Sequence, residues 1–432
     1  MHIERLYDFY KKSTGVAIDS RKIKKGNLFF VLKGAEPFID DALRISEGYA
    51  FTNSKKEAKK NNVFYVEDPL ESLQALAAFH RKQFSSTTSF IAITGSNGKT
   101  TTKELLSRVL SKKYKVNATS GNLNNHIGLP LTLLSSNLDN EIIILELGAS
   151  KKGDIEFLMQ IAQPDYGYIT NFGKAHLEGF GSIQGVIEGK SELYTYLIEK
   201  SNVIFVNRED PTQMQRTTLA KDRYIFSKEK TDEFLWIERL ESEPPKLKLR
   251  FKEVDIYPKL IGNHNLTNLS AAIAIGNYFK VPALDIKEAI EEYIPKNNRL
   301  EEVFLEKERI HILLDAYNAS PDSMREALMI LSNLKGKKGA ILGDMLELGT
   351  YSKKEHQSII DLTISLNLDF VYVIGEHFNQ VYLGNGTSFI IKFSNMKDLI
   401  DELKGKIKND SMWHILIKGS RKMALENILE GL

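Results

Sequence analysis

Residues Phe90 to Lys103, FIAITGSNGKTTTK, restrict the possible folds more than any other stretch of the chain. Phe90 to Ile93 is an apolar run of the kind a buried strand presents. It stops at Thr94-Gly95-Ser96-Asn97-Gly98-Lys99-Thr100-Thr101. A segment of helical period follows, with Leu105, Leu106, Val109 and Leu110 on one face. Strand, glycine loop, Lys-Thr and helix together make a phosphate cradle. Two glycines let backbone N–H groups turn inward, and the helix N-terminus adds partial positive charge. In that reading Lys99 reaches the terminal phosphates of a nucleotide and the Thr100 hydroxyl ligates magnesium. The spacing departs from the common loop: a glycine is expected where Ile93 stands, and the first glycine is Gly95. A bare GxxGKT can also cap an ordinary helix, but here strand and helix flank it correctly.

A chain of 432 residues is long enough for two or three domains, each with its own core. The 58 basic and 56 acidic side chains nearly cancel, which argues against a nucleic-acid surface or an acidic tail. Lys55-Lys56 and Lys59-Lys60 read as a solvated face. The absence of cysteine excludes disulfides, thiolate metal sites and a cysteine nucleophile, and fits a reducing compartment. No apolar run is long enough to cross a membrane, and MHIERLYDFYKKS is not a signal peptide. The expectation is a soluble, cytoplasmic, monomeric protein with no membrane insertion.

The patterning predicts an α/β protein of three domains. Residues 1–85 form a small mixed α/β unit, with strands in Gly26–Gly34 and Phe64–Val66 and a helix over Ser72–Phe84. Residues 86–296 carry apolar runs at Ile142–Leu147, Tyr168–Thr170 and Val203–Val206, as in a parallel sheet buried on both faces. Phe234–Ile237 and Leu247–Phe251 alternate around Pro244-Pro245 and predict an antiparallel hairpin, followed by a helix over Asn265–Phe279. A break at Pro295–Arg299 precedes a second α/β unit over 297–432, with strands at Ile310–Asp315, Gly339–Leu342, Phe370–Ile374, Phe389–Ile391 and Ile415–Ile417.

Three further positions carry chemistry. Glu146 ends a strand, where ligands of open α/β sheets bind. It suits magnesium, held directly or through water, although a strand-end acid can also sit in an ordinary surface turn. His176, in TNFGKAHLE, reads as a metal ligand, a base or a structural loop residue. Lys190, in a helix-like segment with no evident acidic partner, reads by default as a solvent lysine.

TGSNGKTT, GNLNNHIGLPLTLL (Gly121 to Leu134), ELGAS, TNFGKAHLEGFGS and the lysine of GKSEL occur in that order. In this the chain resembles the central domain of the Mur ligases, the ATP-dependent peptide ligases of bacterial cell-wall synthesis, which use the shorter phosphate loop. GNHNLTN (Gly262 to Asn268), DAYNASP (Asp315 to Pro321), LGDMLELG (Leu342 to Gly349) and KGSR (Lys418 to Arg421) extend the resemblance over nearly the whole chain. GNLNN, DAYNA and LGDMLELG are similar to the branch that joins D-alanyl-D-alanine to a UDP-N-acetylmuramoyl-tripeptide. The Asp-Asn-Pro-Arg tetrapeptide expected of the diaminopimelate-adding branch is absent.

The resemblance implies a UDP-sugar-binding N-terminal domain, a central P-loop ATPase-like parallel sheet and a C-terminal Rossmann-like domain. It implies ATP and two magnesium ions. Gly95, Ser96, Asn97, Gly98, Lys99, Thr100 and Thr101 would cradle the phosphates, and Thr100 and Glu146 would hold one magnesium. His176 and a carbamylated Lys190 would hold the second. Asn268, Arg299, Asp315 and Asn318 would contact the nucleoside. Asn124 and Asn125, with His126 beside them, would meet the acceptor's peptide stem, and Ser20 and Arg21 the uridine sugar. Lys99, Glu146, His176 and Lys190 would be the catalytic set. Another ligase of the superfamily (an amino-acid-adding wall ligase or a folylpolyglutamate synthase) and a non-catalytic nucleotide-binding module are the competing readings.

Overall fold

The computed structural model describes residues 1–305, 309–384, 387–407 and 412–432. Its N-terminal sheet has four strands, Gly15–Ala17, Asn27–Phe30, Ala50–Thr52 and Val63–Tyr65, side by side in chain order and all parallel. Two of these strands escape the sequence reading. Gly15–Ala17 and Ala50–Thr52 are three residues each, too short to show a period. The helix after the sheet runs Pro69–Arg81, starting earlier than expected because Asp68 caps it. The Asp68 carboxylate accepts from the Leu70 and Glu71 N–H groups at 2.6 and 3.1 Å.

The central sheet has seven strands, all parallel. Across the sheet they run Leu235–Trp236, Arg223–Ser227, Val203–Asn207, Tyr166–Ile169, Ser89–Thr94, Ile142–Glu146 and Val116–Ala118. Ser89–Thr94 lies inside it, so Phe90, Ile91, Ala92 and Ile93 are covered on both faces, which is why their run is continuously apolar. Helix Lys99–Ser111 buries Leu105, Leu106, Val109 and Leu110, as its periodicity predicts, against Leu269 and Ile273 of helix Asn265–Tyr278. The two helices approach closely at Gly276, where a Cβ would lie 2.5 Å from Val109 Cγ1.

The expected hairpin is rearranged. Leu235–Trp236 instead adds, in parallel, to the edge of the central sheet. The antiparallel pairing belongs to a separate three-stranded sheet of Glu238–Arg239, Leu249–Phe251 and Val254–Ile256. Alternation specifies a strand with one covered face and leaves its partner open.

The C-terminal sheet runs Glu301–Leu305, Ile310–Asp315, Trp413–Lys418, Lys337–Gly343, Phe370–Ile374 and Ile390–Phe393. Only the first pair is antiparallel. The edge strand Glu301–Leu305 has no apolar signature in the sequence, because no residue in it is fully buried and it opens on two glutamates. Among the described residues no helix is long and apolar enough to cross a membrane.

Candidate active site

The phosphate loop needs its glycines for two different reasons. A Cβ at Gly95 would fall 1.9 Å from Thr170 Oγ1. Gly98 sits at φ +79° and caps the helix, and a Cβ there would fall 2.5 Å from Asn268 Oδ1. With no side chain capping this helix, its first N–H groups stay available to an anion. Lys99 Nζ folds back and donates to the Gly95 and Ser96 carbonyls at 2.7 and 3.1 Å. Desolvation pushes the half-buried Lys99 ammonium below its usual pKa; Glu146 opposes that shift and Arg299 adds to it.

Glu146 ends its strand facing this loop and is buried. Its Oε1 accepts from Thr100 Oγ1 at 3.2 Å and from Asn124 Nδ2 at 2.8 Å. Its Oε2 has no hydrogen-bond partner among the described residues. The nearest cation is Lys103, 3.9 Å away, whose Nζ donates to the Thr119 carbonyl at 2.7 Å. A buried, unpartnered carboxylate oxygen beside a threonine hydroxyl is a donor set suited to magnesium. Asn125 braces its own loop, its Oδ1 accepting from the Ile127 and Gly128 N–H groups at 3.1 and 2.9 Å.

These groups open on a cleft of about 1100 Å³. From the phosphate side it is lined by Ser96, Asn97, Gly98, Lys99, Thr100 and Thr101, with Glu146, Asn124, Asn125, His126, His176 and Asn268. From the C-terminal unit come Arg299, Asp315 and Asn318. The Arg299 guanidinium stacks over Tyr317 at 3.9 Å. Lys418, which closes the strand Trp413–Lys418, is buried and donates to Asp315 Oδ2 at 2.5 Å and to the Asn318 carbonyl at 3.1 Å. His264 also lines the cleft, and desolvation pulls its imidazole down to about 4.

Three expected residues stand elsewhere. Ser20 and Arg21 lie outside the cleft lining, in a short turn where Arg21 is exposed and pairs with Asp19 through both carboxylate oxygens at 2.9 and 2.8 Å. Lys190 is not the solvent lysine its sequence context suggests. It is completely buried in helix Ile183–Lys200, its Nζ has no hydrogen-bond partner among the described residues, and it lies 5.4 Å from the Phe180 ring. Desolvation holds its amine well below the usual lysine range, with Lys99 adding to the effect against Asp154 and Glu192. Lys190 is not among the residues that line the cleft.

Sequence reasoning missed the residues that join the two halves. Ser320 Oγ donates to Asn97 Oδ1 of the phosphate loop at 3.0 Å. The Lys174 N–H donates to Asp322 Oδ2 at 2.7 Å, and its Nζ to buried Glu355 Oε1 at 2.6 Å. The partner of Asp315 was missed as well: Lys418 ends the neighbouring parallel strand, where such sheets bind ligands.

Residues 93–276 match the Mur ligase middle domain and residues 298–421 the Mur ligase glutamate ligase domain. The UDP-N-acetylmuramoyl-tripeptide–D-alanyl-D-alanine ligase of Bacillus subtilis is 33% identical over 430 residues, 97% of this chain and 93% of that protein. The Escherichia coli enzyme of the same name is 30% identical over 96% of this chain and 93% of its own. The crystal structure of MurF from Acinetobacter baumannii superposes with a TM-score of 0.86 at 27% identity, over 99% of this chain and 97% of that one. MurF from Thermotoga maritima, solved with ADP, gives 0.83 at 26% identity, over 98% and 97%. The shared three-domain architecture, both domain matches and full-length identity agree, and the chain belongs to the Mur ligase family.

Proposed function

We propose that this chain joins D-alanyl-D-alanine to UDP-N-acetylmuramoyl-tripeptide at the expense of ATP, giving the pentapeptide precursor of peptidoglycan. One observation carries the reading. A single cleft brings a glycine phosphate loop, an unpartnered acidic strand end and the Arg299–Asp315–Asn318 cluster together, in a chain similar along its length to ligases of that name. The division 1–85, 86–296 and 297–432 fits uridine-sugar, nucleotide and closing roles, in a monomer of the cytoplasm. The first step is attack by the tripeptide's terminal carboxylate on the γ-phosphorus, with ADP leaving. The dipeptide amine then attacks the acyl phosphate carbonyl, loses a proton and expels phosphate. Positioning and charge neutralisation dominate such chemistry.

Residues 95–101 hold the phosphates, with the Lys99 ammonium swinging from the loop carbonyls to the terminal phosphate. Thr100 and Glu146 would hold one magnesium, and His176 and Lys190 a second. Magnesium, when bound, neutralises phosphate charge. Lys190 would serve as a carbamate: burial lowers the pKa of its amine and so favours the neutral form, which can attack carbon dioxide, lose a proton and supply oxygen ligands. Asn268, Arg299, Asp315 and Asn318 hold the nucleoside, Asn124 and Asn125 the peptide stem, and Ser20 and Arg21 the uridine end.

The test is phosphate release from ATP with the tripeptide nucleotide, with and without D-alanyl-D-alanine. Release that needs both, with the pentapeptide found by mass, is expected. Release with a different amine donor would leave a ligase of other specificity. No release with ATP still bound would favour a binding module.

A further inference from the structure

The loop that carries His176 is gripped by the C-terminal unit at three points. Asp322 takes the Lys174 N–H, Glu355 takes the Lys174 ammonium, and the Glu347 carbonyl takes the Glu178 N–H at 3.1 Å. At the third point the backbones touch: a Cβ on Gly349 would lie 3.3 Å from Glu178 Cα. There the Glu347 carboxylate meets His176 Nδ1, which has no other polar partner among the described residues. Both residues take left-handed backbone angles, His176 at φ 52° and Glu347 at φ 62°. Non-glycine residues rarely adopt that conformation, and such strain clusters at functional sites. Two such residues face each other across the domain boundary.

We propose that Glu347 is a positioning residue for the ligation: a carboxylate supplied by the C-terminal unit that fixes the tautomer and ring orientation of His176. A carboxylate on Nδ1 keeps the proton there and leaves Nε2, on a ring that lines the cleft, as the nitrogen free to ligate. The second metal position is therefore complete only when the C-terminal unit has docked. This inference rests on the reading of His176 as a metal ligand.

The test counts Mn2+ bound by the full-length chain, by electron paramagnetic resonance, with a non-hydrolysable ATP analogue and the tripeptide nucleotide present. Glu347→Ala keeps the backbone bond to Glu178 and the Lys174–Glu355 pair, so docking survives. It should weaken the second Mn2+ by about 10- to 100-fold and leave the first unchanged. Glu347→Gln, which still accepts from Nδ1–H, should recover most of that affinity; a Gln variant as weak as Ala would overturn the hydrogen-bond assignment. Wild-type affinity for the second Mn2+ in Glu347→Ala, with that ion lost in His176→Ala, would overturn the proposal. Retention of the second Mn2+ in His176→Ala would instead remove the metal reading beneath it.

Discussion

The two halves of the cleft are built differently. On the phosphate side, Lys99, Thr100, Asn124 and Glu146 find their polar partners within one domain, inside a sheet whose central strands are fully buried. At the seam with the C-terminal unit, other residues of that same domain find partners across the boundary: His176 meets Glu347, Lys174 meets Glu355, and Asn97 meets Ser320, each pair spanning more than a hundred residues of sequence. The first set of contacts lies within one domain. The second is made across the boundary with the C-terminal unit. On the function proposed above, this division would let nucleotide bind to contacts within one domain and let the contacts across the boundary form on closure, which would keep water from the acyl phosphate.

The sharpest way to break the contrast is Lys99→Ala. It removes the cradle's cation, so turnover should fall by on the order of 10²- to 10³-fold while melting temperature and domain docking stay as they are. Steady-state kinetics beside a thermal melt would show it; near-normal turnover would dissolve the assignment of the loop. Lys174→Met should act in the opposite way. It leaves the cradle whole and strands the buried Glu355 carboxylate with, among the described residues, only the Arg325 cation, 3.9 Å away. Because Lys174 is half-exposed, a cost at the low end for a buried group losing its partner is expected, about 1.4 kcal/mol on docking. That is about tenfold in kcat/KM, with a larger radius of gyration by small-angle scattering when ATP is bound. Equal compactness in the two proteins would show that the pair does not hold the halves together.

The same division explains what the sequence reveals. The phosphate loop, the helix behind it and the strand ending in Glu146 are local patterns, and each residue's partner type follows from its place on a strand or helix end. The motifs of the C-terminal unit are visible as words, but the contacts of Lys418 and Glu347 are not. A lysine's partner cannot be read when it lies a hundred residues away on another strand, as Asp315 does. Lys190 shows the limit most clearly: nothing nearby in the chain marks it as buried, and only the packing of its helix over the sheet removes it from water. Leu235–Trp236 escapes for a related reason, since its alternation fits either a hairpin or a sheet edge.

The central claim is that the cleft activates a carboxylate as an acyl phosphate and passes it to an amine. Its most direct test places isotopically labelled oxygen in the terminal carboxylate of the tripeptide nucleotide and runs the ligation with ATP and D-alanyl-D-alanine. The account predicts that each pentapeptide formed is matched by one released phosphate carrying one labelled oxygen. Pentapeptide formed alongside unlabelled phosphate would contradict it.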